Sequence, residues 1–193
     1  MTIDIDPVEA VVRDDLVDRL RVHDTHYIGG GSAWRGATSP YTSPPDAPVQ
    51  QLLADLVVSA DARLRTAAVA LLLRHPEYAG DALDALDAAN GLASRPRLLI
   101  ETSILAAAAL QSMWAFSLNL YMPGWIPIDG DKLAEWLGVP SPHEDYGRAT
   151  LDALDGLLNH DSPFPTDHVG AWQDVGRHVL DDLREEALDY AAT

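Results

Sequence analysis

The chain has no cysteine in its 193 residues. That excludes a disulfide framework, a thiolate metal site and a thiol nucleophile. Lysine is almost missing as well, since of 13 basic residues only Lys132 is a lysine and the other twelve are arginines. Positive charge is scarce overall: 30 acidic residues leave a net charge of −17 and a pI near 4.4. A surface of that sign repels phosphates, so nucleic-acid binding by backbone neutralisation is not expected. The N-terminal stretch MTIDIDPVEA lacks a basic region followed by an apolar run, so no signal peptide is read there and a cytoplasmic protein is expected. No segment sustains the alternation of a β-strand.

What is present is a long apolar stretch, Leu98–Met122, with neither glycine nor proline. It is long enough for about seven helical turns. Its longest unbroken apolar run is only Ile104–Leu110, too short for the roughly 20 apolar residues of a membrane span. At 100° per residue Glu101, Ser112 and Asn119 fall on one narrow line, and the remaining surface is apolar. A helix apolar nearly all round belongs in a core. The polar line has two readings, a thin strip facing solvent or a polar seam inside a bundle where Glu101 binds a ligand. The small side chains Ala106–Ala109 let neighbouring helices approach closely.

Shorter amphipathic pieces flank this stretch. Asp6-Pro7 starts a first helix with Leu16 and Leu20 inward, ending near Arg21–His23. Pro48 opens a second, Asp61 caps a third over Ala62–Arg74, and Asp81–Ala89 is a short fourth stopped by Asn90-Gly91. Asp131 caps Lys132–Leu137 and Gly138 ends it. A helix near Tyr146–Leu158 follows, and Thr166 caps a last one carrying Trp172, Val175, Val179 and Leu183 inward. The fold class read from this pattern is all-α. It is a compact bundle of about seven to nine helices around a long central apolar helix, one domain over residues 1–193. Residues 24–48 interrupt it as an extended Gly/Pro-rich arm. Loops of that length in compact domains are usually functional. Its aromatics Tyr27, Trp34 and Tyr41 are read as an interaction surface for a partner and as the anchors that pack the arm down, the competing reading of the arm being a flexible linker or lid.

Two resemblances are local. The helix beginning at Asp61 resembles the second helix of a HEAT-type repeat, with no second copy at a period of about 40. The segment Lys132–Ser141 resembles the first half of a bacterial helix-turn-helix, with Ala134, Gly138 and Val139 at the expected spacing. It departs where a recognition helix would begin, at His143-Glu144-Asp145-Tyr146-Gly147, which offers carboxylates to the phosphates and only Arg148 to offset them.

Chemistry is sparse. His23, Asp24 and His26 put two imidazoles and a carboxylate within four residues, the densest group of metal-ligand types in the chain. A catalytic metal needs about three protein ligands, and His143, Glu144, Asp145, His160, Asp161, Asp167 and His168 are the candidate companions, joined on the last helix by His178 and Asp182 with Glu185 and Glu186 a turn further. Arg21 and His26 have the Arg-x4-His spacing of HEPN ribonucleases, but Gly29–Gly31 follow where that family continues a helix. The glycines lead into neither a helix start nor a lysine, so they read as a turn rather than a phosphate cradle.

The leading expectation is an acidic helical interaction or regulatory protein without cofactor, not an enzyme, whose partner is a protein with a basic surface. From size and charge, the expectation extends to the partner of an operon-encoded toxin or enzyme. The alternative is a metal-dependent hydrolase acting on a phosphorylated small molecule, with His23, Asp24 and His26 as ligands.

Overall fold

The computed structural model describes residues 7–23, 25, 48–88 and 94–191. Among them are nine α-helices and one 3-10 turn, and no strand. The helices are α1 (Pro7–Val22), α2 (Val49–Val58), α3 (Ala62–Arg74), α4 (Tyr78–Ala88) and α5 (Ser94–Met113). They continue with α6 (Ala115–Tyr121), α7 (Asp131–Leu137), α8 (Arg148–Asn159) and α9 (His168–Ala191), with the 3-10 turn at Glu144–Gly147. The all-α expectation holds.

Helix α5 is central, touching α2, α3, α4, the 3-10 turn and each of α6 to α9. Every residue from Ile100 to Gln111 on it is buried. It does not act alone. On α3 every residue from Ala67 to Leu73 is buried too, and α3 packs on α1, α2, α5 and α9. Both helices are rich in alanine at their buried faces, Ala67, Ala68 and Ala70 on one and Ala106–Ala109 on the other. The core is therefore built on two adjoining helices, with the leucines Leu52, Leu53, Leu56, Leu151, Leu154 and Leu183 closing in from α2, α8 and α9. Burial of this kind stabilises by about 25 cal/mol per Å² of apolar surface.

The local stops and starts have readable causes. Asp61 accepts a hydrogen bond from Arg63 N at 2.8 Å and caps α3. Gly138 ends α7 in the left-handed conformation at φ 69°, the region that favours glycine. Two caps differ from expectation. The capping residue of α7 is Gly130, while Asp131 is already helical and its Oδ1 accepts from Ser141 Oγ at 2.6 Å. On α9 it is Asp167, not Thr166, whose Oδ1 takes the first-turn amide of Gly170 at 2.7 Å.

The larger difference lies in the stretch Leu98–Met122. It is not one helix. It breaks at Trp114 (φ −114°, ψ 22°), and α5 and α6 meet at a bend of 85°. The polar line is broken with it. Glu101 is buried and accepts from Arg97 Nε at 2.9 Å, whereas Asn119 is exposed on α6. No single helix among the described residues is long and apolar enough to cross a membrane, and only the bent α5–α6 pair passes by length and composition.

After α7 the chain departs from helix-turn-helix geometry. Asp145 (φ 46°), Tyr146 (φ 53°) and Gly147 (φ 77°) are all left-handed, at about 1–2 kcal/mol for each non-glycine residue. Gly147 is needed there because a Cβ would strike the carbonyl of Ala109 on α5. Helix α8 begins only at Arg148 and turns Leu151 and Leu154 into the core.

Candidate docking surface

The break at Trp114 decides what the second half of the apolar stretch does. The backbone bonds continue through it, Trp114 N to Leu110 O at 3.0 Å and Leu118 N to Trp114 O at 2.9 Å. Trp114 N and Leu118 N thus stay bonded on either side of the turn, and α6 packs on α9. On α6, Leu118 points inward and is fully buried, while Phe116 and Leu120 are 84% and 62% exposed. Residues four apart share a helix face and a residue midway between them faces the other way. Phe116 and Leu120 therefore form one apolar ridge over solvent. Trp125 folds back on this helix, its Nε1 donating to Asn119 Oδ1 at 3.2 Å, and the next residue, Ile126, is 78% exposed. Asn119 is itself held by Ala115 O at 2.8 Å.

The sequence-predicted metal ligands do not assemble among the described residues. His23 sits at the end of α1 against aromatic groups. Its Nδ1 lies 3.1 Å from Tyr78 Oη, with the rings edge to face at 5.4 Å. His75 stacks on Tyr78 at 4.9 Å and places Nε2 2.8 Å from the carbonyl of His23. This knot ties α1 to the start of α4. Asp24 and His26 lie outside the described residues, as do Tyr27, Trp34 and Tyr41 of the expected contact surface. Among the described residues no three His, Asp or Glu side chains converge in a way that would hold a metal ion.

The candidate companions are dispersed. His143 faces Ser112 Oγ at 3.3 Å. His160 and Asp161 are exposed neighbours 3.9 Å apart. His178 Nδ1 meets the backbone carbonyl of Asp174 at 2.7 Å. His168 stacks on Trp172 at 5.6 Å, its amide donating to Asp155 Oδ1 at 3.0 Å.

No protein-family model, no curated protein and no solved structure matches this chain.

The functional reading therefore rests on the exposed ridge and on the net negative charge of the chain. The sequence pattern assigns Phe116 and Leu120 to the core because it treats Leu98–Met122 as one helix. The signal that separates them is the rise in polar residues after Leu110, with Gln111, Ser112, Ser117 and Asn119 crowded into nine positions.

Proposed function

We propose that this chain is a protein-interaction module whose docking face is the α6 ridge and whose partner is a protein with a basic surface around an apolar contact. The observation that carries the reading is the ridge itself, Phe116 and Leu120 one turn apart and both largely exposed. Single exposed apolar residues are ordinary, but an aromatic and a leucine sharing one helical face mark a contact site. The charge of the partner follows from complementarity. Helix α9, on which α6 packs, carries Asp174, Asp181, Asp182, Glu185, Glu186 and Asp189, of which Glu186 is paired with Arg74 and Asp174 with Arg177. The whole chain is at −17. Like charges across an interface are unfavourable, and opposite ones steer encounter.

The test uses an amphipathic helical peptide of leucine and lysine as probe, with a leucine–glutamate peptide as control. Amide shifts of the isotope-labelled full chain should move at residues 115–126 with the basic peptide only, and affinity should fall as salt is raised past a Debye length of about 8 Å. The Phe116→Ser/Leu120→Ser double variant should keep its melting temperature and lose binding. Shifts confined to other helices, unchanged affinity in the double variant, or self-association of the chain through α6 in sedimentation would each overturn the proposal.

A further inference from the structure

A second feature lies away from α6 and is independent of the docking proposal. The end of α2, the start of α3, the start of α5, the end of α8 and the start of α9 leave a cleft of about 380 Å³ between them. That volume is at the small-molecule end of the range for ligand pockets. Its polar lining is Arg65, Arg95, His168, Ser59, Ser162, Thr166 and Asn159, and its apolar lining includes Val57, Leu99 and Leu158. None of the described lining residues is acidic, in a chain where acids outnumber bases 30 to 13. Two of the twelve arginines thus line this cleft, and the carboxylates that act on its His168, those of Asp155 and Asp167, are not among the described lining residues.

The cleft is built rather than loose. Arg65 Nη1 donates to the carbonyls of Ser59 and Ala60 at 2.7 and 3.0 Å, which aims the guanidinium. Its other N–H groups, and all those of Arg95, meet no protein acceptor among the described residues. The rim is pinned by Asn159, which donates to Thr166 O at 2.8 Å and accepts from Thr166 N at 2.9 Å. His168 is stacked on Trp172 at the floor. Burial holds its imidazole below the ordinary 6.5, the carboxylate of Asp155 opposes that, Arg65 adds to it, and Asp167 opposes it. A neutral imidazole offers one N–H to an incoming group.

Guanidinium groups with unused N–H pairs recognise oxyanions, since their planar fork matches carboxylate and phosphate oxygens. The apolar wall requires a ligand with more than a bare inorganic ion. We propose that this cleft binds a small organic oxyanion, its head group on Arg65 and Arg95 and its short apolar body against Leu99 and Leu158.

The experiment titrates the full chain by calorimetry and amide shifts with phenyl phosphate, phenylacetate, inorganic phosphate and phenethylammonium. Binding of phenyl phosphate or phenylacetate is expected, with shifts at Ser59, Thr166 and His168, and which one binds tighter tells a phosphate ligand from a carboxylate. Arg95→Gln should weaken that binding by about tenfold and leave the melting temperature unchanged, because the Arg95 side chain has no protein partner among the described residues. Binding of neither organic anion at millimolar concentration overturns the proposal. So does undiminished binding by Arg95→Gln, equal affinity for inorganic and phenyl phosphate, or equal affinity for phenethylammonium. Were Arg95→Gln to unfold, shifts of the wild type away from the cleft would overturn it on their own.

Discussion

The ring of Trp114 lies on the backbone of Gly176, so close that a Cβ built at Gly176 falls among the ring atoms. The residue that ends α5 is thereby seated on α9, and the bend that exposes the α6 ridge depends on that seat. Beyond the bend Leu118 is fully buried.

Gly176→Ala should accordingly destabilise the fold. In an exposed helix the same change gains about 1 kcal/mol. Here overpacking against Trp114 outweighs it, and a net loss of about 1–3 kcal/mol is expected. Urea unfolding of Gly176→Ala, Trp114→Ala and the double variant checks it. The double variant should be more stable than the sum of the two singles implies, since the smaller residue at 114 makes room for the methyl. A Gly176→Ala chain more stable than wild type would contradict the placement of the bend.

The ion pair on α5 gives a second test. Glu101 is 4% exposed and its carboxylate has Arg97 Nε at 2.9 Å. Removing the partner leaves a buried acceptor without its charge-assisted bond, so Arg97→Ala should cost about 1–3 kcal/mol. Glu101→Gln in the same background should recover part of that loss, because a neutral amide is cheaper to bury than a lone carboxylate. If Arg97→Ala unfolds at the same denaturant concentration as wild type, the carboxylate is better solvated than its burial implies.

His168 predicts a pH dependence. Burial, the largest influence, holds its pKa in the folded chain below 6.5, with Asp155 opposing, Arg65 reinforcing and Asp167 opposing. The unfolded chain therefore takes up the proton first as the solution is acidified. The stability contributed by the neutral imidazole is complete above the unfolded value and is lost as pH falls through the folded one. Melting temperature between about pH 7.5 and 5.5 should drop less steeply for His168→Gln than for wild type. Parallel curves would show that the imidazole is as easily charged in the folded chain as in water.

The helical class and most helix positions were legible in local pattern. The extent of α3 follows from its Asp61 cap and its run of apolar residues, and the end of α7 from Gly138, because caps and left-handed stops are short-range chemistry. The buried half of the central stretch, Ile100–Leu110, follows from its composition. The expected metal cluster could not be judged by spacing alone. His23 is recruited by Tyr78 and His75, fifty-odd residues away in the chain, and only folding brings them within reach.

By itself the sequence determined an all-helical chain of strong negative charge, with two alanine-rich helices able to pack closely. Apolar periodicity and capping act within a few turns, and a charge count needs no geometry. Tertiary structure alone decided that Leu98–Met122 bends at Trp114, that Phe116 and Leu120 face outward while Leu118 faces in, and that Arg65, Arg95 and His168 share one cleft. Each of those depends on a contact between distant segments. The ring of Trp114 needs a glycine opposite it, and a cleft between helix ends exists only once five helices have been brought together.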